Sequence, residues 1–393
     1  AIGMHFADDL EVQSDSLTEL DGDRASDKPL EDILRAIHGD DARQFIGCHH
    51  VRYFEKAGVV HVLSRVAAGM ALLVPTDELN RIIAGVMGRA LAIYPEVRVF
   101  AFAFMSNHFH LELEGGVWIP RFMRYVKGQI SLRVKDIVGR EGPTLWEGEY
   151  AAAHLPSERS QLRAFRYILS HGVKEGLVER PEQWPGLHCA KQVFCDAPLV
   201  GEWFNGTRYA KARYKELQKP QSERRTLERG DFTERYAALQ ILERLPALAS
   251  LDEAAYVNYL SDLHIEIIEE GRAIRAGKSA IGVDAVRATP RRTKFEIPRP
   301  PWFQKRRRMI VWEHHEQPDA RAYLVRYWRH QIDYRRNATR FLQGELDVVF
   351  PPGSHRPCAP VKPLPRRALD PERWAVILGT TATAARLAGV LAA

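Results

Sequence analysis

The run Asn107-His108-Phe109-His110-Leu111-Glu112-Leu113-Glu114 holds two histidines separated by one apolar residue. On a strand, residues i and i+2 share a face. His108 and His110 would therefore project together while Phe109 packs the other way. Two neutral imidazoles side by side supply most of a divalent-metal site. They would equally well be two strand histidines that bind nothing. Downstream, Phe165-Arg166-Tyr167-Ile168-Leu169-Ser170-His171 places Tyr167 and His171 four apart, on one face of a helix. If that helix crosses the sheet over the histidine pair, His171 completes a three-imidazole set beside a phenol. Taken on its helix alone, Tyr167 reads as a core tyrosine, and His171 as a histidine favoured at a helix C-terminus. Tyr125 lies in an apolar helical stripe, and Tyr150 follows the Trp146 loop as a stacking or anchoring residue. Only Tyr167 has a ligand-type residue at i+4.

The elements that must position these groups are legible in outline. Val59–Val66 is β-branched and reads as a strand. Thr76 or Asp77 caps a helix that runs to about Tyr94 and is ended by Pro95. Val97–Met105 is nearly all apolar and reads as a buried central strand, hairpin-paired through Ser106–Asn107 with His108–Glu114. A helix is expected over Arg121–Val138, a loop over Gly142–Tyr150, and a last helix over Ser157–Ser170, stopped by Gly172. The order β-α-β-β-α-α predicts an α+β fold: a ferredoxin-like antiparallel sheet with helices on one face.

Three regions follow: an acidic N-terminal segment over 1–44, a dense α+β domain over 45–196, and a mostly helical C-terminal extension over 197–393. The 393 residues carry 56 Lys+Arg against 50 Asp+Glu, a net +6. Residues 1–44 hold 12 acids and 4 bases, so the rest carries +14. Half of that excess lies in 290–308, with eight Lys/Arg, one Glu and four prolines. There Trp302 and Phe303 sit beside Lys305, Arg306, Arg307 and Arg308, a mix of charge and stacking surface that suits single-stranded nucleic acid. A basic linker with two packed aromatics is the alternative. Lys127, Arg133 and Lys135 could line a phosphate channel or a solvated helix face. Four cysteines without CxxC spacing read as reduced thiols. No signal peptide is visible, and the apolar tail Trp374–Ala393 is short for a membrane span. A cytoplasmic protein with no membrane partner is expected.

In order along the chain, Val59-Val60-His61-Val62-Leu63-Ser64-Arg65, Met105-Ser106-Asn107-His108-Phe109-His110, Leu145-Trp146-Glu147-Gly148-Glu149-Tyr150 and Tyr167-Ile168-Leu169-Ser170-His171-Gly172-Val173-Lys174-Glu175-Gly176-Leu177-Val178 resemble the HUH-class single-strand DNA transposases. The likeness is to the REP-associated tyrosine transposases and their insertion-sequence relatives, over about residues 45–190. It implies that His108 and His110 bind a divalent metal and that Tyr167 is the nucleophile. The family usually has Asn or Gln where this chain has His171. Magnesium or manganese is the expected metal, and three imidazoles also suit zinc. The implied activity is cleavage of single-stranded, hairpin-containing DNA through a 5′-phosphotyrosine link with a free 3′-OH, followed by strand transfer. A domesticated, non-catalytic hairpin binder and a zinc-dependent hydrolase are the other readings. A bacterial, nucleoid-associated enzyme acting as monomer or homodimer is implied.

Overall fold

The computed structural model describes residues 51–135, 137–138, 144–197, 199–236, 242–294, 311–313, 317–354 and 356–357. The acidic 1–44 segment, Trp302, Phe303 and Lys305–Arg308 lie outside these, as does the C-terminal tail. The chain divides into two compact units, 1–329 and 330–393.

The first unit is a mixed α+β body. Its elements in order are β1 (Val60–Arg65), α1 (Asp77–Ile93), β2 (Arg98–Phe104), β3 (His108–Glu114), α2 (Ile119–Arg133), β4 (Ala151–His154), α3 (Glu158–Leu169), α4 (Ala190–Cys195), β5 (Gly201–Phe204), α5 (Gly206–Leu217), β6 (Thr233–Tyr236), α6 (Glu253–Arg275), α7 (Val283–Arg287) and α8 (Pro318–Leu342), joined by short 3-10 turns. The last of these runs on into the second unit.

The main sheet has the order β2-β3-β1-β4 with antiparallel neighbours throughout. Its register sorts the strands into two faces. Val60 and Val62 oppose Leu113 and Leu111, and Phe102 and Phe104 oppose Leu111 and Phe109, so these residues share one fully apolar face. His61 opposes Glu112, and Ala103 opposes His110, on the other face. Alanines at 101 and 103 keep that second face low, which lets α3 settle across β2 and β3. On the apolar face, the Phe109 ring meets Trp146 edge-on at 5.2 Å, and Trp146 Nε1 donates to the Lys127 carbonyl of α2 at 2.9 Å. Helices thus cover both faces, where the sequence led us to expect one. The separation is required: only a helix on the histidine face brings Tyr167 and His171 to it.

Local signals explain the helices. Thr76 Oγ1 accepts from Leu79 N at 3.2 Å to cap α1, with Asp77 and Glu78 in the first turn. Ser157 and Ser160 form a reciprocal capping box on α3. Gly172 at φ +90° turns the chain out of that helix, and its carbonyl takes Leu177 N and Val178 N. Helix α2 ends at Arg133, short of the expected Val138. The fourth strand, β4, was not expected at all. Ala-Ala-Ala-His has no strand preference, and pairing with β1 imposes the conformation.

The extension is less helical than its composition suggests. Strands β5 and β6 form an antiparallel ribbon bearing α5 between them. The ribbon docks on α1 by direct backbone approach. A Cβ added at Gly85 would lie 2.0 Å from the Glu202 carbonyl oxygen, and one at Gly201 would lie 2.1 Å from Gly85 N. Alanine normally gains up to ~1 kcal/mol over glycine inside a helix. Here the clash wins, and Gly85→Ala is expected to lower stability by ~1–3 kcal/mol in urea unfolding. A higher urea midpoint for the variant would refute this packing.

In the second unit, Phe350 packs between Tyr334 and Phe341, with centroids at 5.7 and 5.9 Å. Asn337 Nδ2 donates to the Val349 carbonyl at 2.8 Å. No described helix is long and apolar enough to cross a membrane.

Candidate metal and nucleophile site

His108 and His110 come from β3, and Tyr167 and His171 from α3 and its exit turn. One ligand atom from each of His108, His110 and His171 lies within 4.8 Å of the other two, and all three residues are buried. The ring centroids are 4.9 Å apart for His108–His110, 4.4 Å for His110–His171 and 5.5 Å for His108–His171. The Tyr167 ring stands edge-on to His171 at 4.7 Å and to His110 at 5.4 Å. The four residues singled out in the sequence are therefore brought together.

Each imidazole is oriented through Nδ1. His108 Nδ1 meets Asn107 Oδ1 at 2.6 Å, His110 Nδ1 meets His61 Nε2 at 2.9 Å, and His171 Nδ1 meets Glu175 Oε1 at 3.0 Å. All three partners can accept. The Asn107 and Glu175 oxygens can only accept, so Nδ1 carries the proton in His108 and His171 and Nε2 is the atom they would offer a cation. His110 offers Nε2 likewise when its Nδ1 donates to His61. Glu175 is itself fixed, its other oxygen accepting from Gly172 N at 2.5 Å. Burial, then the neighbouring imidazoles His171, His108 and His61, hold the His110 pKa well below its ordinary 6.5. Burial first and Lys174 second lower that of His61 to about 3. These two rings are neutral at pH 7, and neutral imidazole is the ligand form. The donor set fits a divalent cation. Glu175→Ala is expected to weaken cation binding ~10–100-fold while leaving the fold intact. Calorimetric titration with manganese or zinc would measure this, and unchanged affinity would remove Glu175 from the site.

Several residues around the cluster were given no role of their own from the sequence. His61 stacks on His110 at 5.0 Å. A polar residue alternating with Val60 and Val62 on a β-branched strand was the signal for it. Lys174 Nζ sits 3.6 Å from the Tyr167 ring centroid. Glu112 is fully buried, and among the described residues neither carboxylate oxygen has a hydrogen-bond partner. Burial drives its pKa well above the carboxylate range. From far along the chain, Val311 bridges His154 and Trp312 N donates to the His154 carbonyl at 3.0 Å. Ser157 Oγ donates to Glu313 at 2.5 Å. This strap lays the Trp312 ring edge-on to His61 at 4.4 Å and to Tyr167 at 5.6 Å. Nothing in the local sequence around Trp312 signals that contact.

The other candidate residues lie elsewhere. Lys127 Nζ donates to the Gly148 carbonyl at 2.6 Å, and burial, ahead of the Arg52 charge, lowers its pKa to about 8. Arg133 donates to the Phe204 carbonyl at 2.8 Å and stacks on Trp203 at 3.3 Å. Tyr125 stacks on the same Trp203 at 6.0 Å, and Arg52 lies over the Tyr150 ring at 3.8 Å. None of these four adjoins the histidine cluster. Cys189 is buried, and burial pushes its thiol up to about 12, so it is inert, while Cys195 is a free exposed thiol.

No protein-family model matches the chain. No curated protein matches it either. Among solved structures, it is similar to one described as "Structure of the REP associates tyrosine transposase bound to a REP hairpin", at 16% identity and a TM-score of 0.32, covering 38% of this chain and 86% of that one.

Proposed function

We propose that the protein is a divalent-metal-dependent single-strand DNA endonuclease and strand transferase of the HUH tyrosine type. One observation carries the reading: a phenol, Tyr167, stands edge-on to two members of a buried three-histidine cluster. The strand order β2-β3-β1-β4 with crossovers through α1 and α2 supports a ferredoxin-like nuclease domain within 45–196. The ordered motifs and the basic charge outside the N-terminal segment support a DNA substrate with a hairpin.

In this reading His108, His110 and His171 hold the metal through Nε2, with Asn107, His61 and Glu175 fixing the rings. Magnesium or manganese is the expected occupant, and the all-imidazole donor set also admits zinc. The bound cation would withdraw charge from the scissile phosphate and orient it. Tyr167 Oη attacks phosphorus in line. The P–O3′ bond breaks, the 3′-oxygen leaves as a hydroxyl, and the 5′ phosphate stays on the tyrosine. Lys174 places positive charge against the ring as the phenol gives up its proton. Rejoining reverses these steps with an incoming 3′-OH, so no nucleotide cofactor is needed. His108, His110, Tyr167 and His171 are all buried, which favours an unpaired strand over a duplex as the DNA that reaches them.

The test is incubation with a panel of labelled, hairpin-flanked single strands, with manganese, magnesium, zinc or chelator. A denaturation-resistant protein–DNA adduct that requires metal is the expected result. Tight binding without any adduct would turn the reading into that of a non-catalytic binder. Turnover with zinc and no adduct would turn it into that of a hydrolase using metal-activated water.

A further inference from the structure

The helix α5 does not build the core. It is 12 residues long and buries none of them. A free helix of that length is marginal in water, so this one is held at its ends. Asn205 Oδ1 accepts from Arg208 N at 3.0 Å, and the Arg224 guanidinium donates to the Leu217 and Lys219 carbonyls, each at 3.1 Å. Tyr209 roots it, packed against Phe204 and Phe232, both at 5.4 Å, and the Arg208 guanidinium lies over the same Phe232 ring at 5.7 Å. Beneath it the ribbon is clamped to the body. Besides the glycine contacts, Arg89 pairs with Glu234 at 2.8 Å, and the Arg89 and Arg133 guanidiniums both lie over Trp203. A rigid base thus presents an exposed helix.

That helix is basic. Residues 206–229 hold eight Lys/Arg against three Glu, a net +5, close to the +6 of the whole chain. Some of these charges have structural work: Lys219 pairs with Glu216 at 2.7 Å, Arg224 caps the helix, and Arg229 lies over Phe204 at 4.2 Å. Lys211, Arg213 and Lys215 are exposed and, among the described residues, form no ion pair. Lys211 and Lys215 lie one turn apart, with Arg208 behind them on the same side.

Taking the proposed DNA activity as given, we propose that α5 grips the double-helical stem of the substrate through its phosphates, away from the histidine–tyrosine cluster. Charge complementarity picks the partner. A helix of this length spans ~18 Å, against which B-DNA presents ~10 phosphates, twice what one strand offers. The form favours a duplex too. Single strands are held in grooves with repeated stacking aromatics, whereas α5 projects from the body and exposes one aromatic ring, Tyr214, at 66%. Contacts to phosphates fix position without reading sequence, which suits an anchor for the strand entering the site.

The experiment uses the full chain with Lys211→Ala, Arg213→Ala and Lys215→Ala combined, since alanine preserves an exposed helix. Fluorescence anisotropy over a salt series compares a hairpin oligonucleotide carrying single-stranded flanks with oligo-dT of equal length. The proposal expects at least tenfold weaker hairpin binding at ~0.1 M salt and a log–log salt slope shallower by ~2–3, one step of ~0.9 per lost phosphate contact. Binding of oligo-dT stays the same. Equal losses on both DNAs would assign α5 to the single strand and overturn the proposal, as would no loss on either. Tighter hairpin binding would overturn it as well, pointing to the acidic 1–44 segment as the occupant. Adduct formation on a stemless strand is read in parallel. If the salt-slope difference holds and no adduct ever forms, the stem contact stands and the Tyr167 chemistry fails. Adduct formation without a slope difference gives the reverse.

Discussion

Tyr167→Phe is expected to abolish the covalent protein–DNA adduct, a loss of ~10³-fold or more, with the fold and cation binding unchanged. The substitution deletes one oxygen. The phenylalanine ring keeps its edge contacts with His110, His171 and Trp312 and stays under Lys174. Among the described residues, no other tyrosine ring contacts His108, His110 or His171. Tyr125 is stacked on Trp203, and Tyr150 is covered by Arg52. Gel analysis of a labelled oligonucleotide after denaturation reads the result, and a calorimetric metal titration shows that the cluster survives. Adduct at the parental level would displace Tyr167 as nucleophile. Strand cleavage that persists with no adduct would move the chemistry to water.

Loss of stability in mild acid is the second large expectation. His61, His154 and His188 are buried, and desolvation holds their pKa values at about 3, 4 and 4, against an ordinary 6.5. For His154 the Glu55 carboxylate, and for His188 the Ile168 carbonyl, recovers only part of that fall. Because the folded values lie below the unfolded one, the unfolded chain takes up protons first as the pH drops. Their stabilising contribution is complete above pH ~6.5 and is lost as the pH falls toward 3–4. At pH 5 each neutral ring costs ~2 kcal/mol relative to pH 7, so three cost ~6 kcal/mol, a large share of a typical 5–15. His110 is shifted the same way. Most carboxylates titrate lower, so the histidines dominate the window from pH 7.5 to 5, while the buried Glu112, shifted upward, works in the opposite sense and offsets part of the fall. Thermal melts in the presence of chelator should show a steep fall across it. His188→Gln should make that fall shallower by about one proton. A melting temperature unchanged between pH 7.5 and 5 would mean that these rings are not desolvated.

The sheet and the site were legible where one short-range rule sufficed. Period-two alternation gave β1 and the inward pair His108 and His110, and i+4 spacing gave Tyr167 with His171. Capping residues Thr76 and Ser157 marked helix starts to within a residue. What was missed depended on partners distant in sequence. Ala151–His154 is a strand only because β1 offers an edge. Glu175 lies at the same i+4 interval beyond His171, yet its function is visible only once Gly172 bends the chain back. Arg133 and Lys127 looked like surface cations until Trp203 and the Gly148 carbonyl came to meet them. Charge totals drew attention to 290–308, while α5, with less charge, was overlooked.

The Trp312 strap sets an order of events during synthesis. Ribosomes deliver the chain from the N-terminus at ~5–20 residues per second. His61, the three clustered histidines and Tyr167 all emerge before Trp312, which follows Tyr167 by 145 positions. Every nascent chain therefore spends roughly 7 to 30 s with its phenol made but not yet bordered by indole. A message that ends prematurely between those points would leave that state permanent.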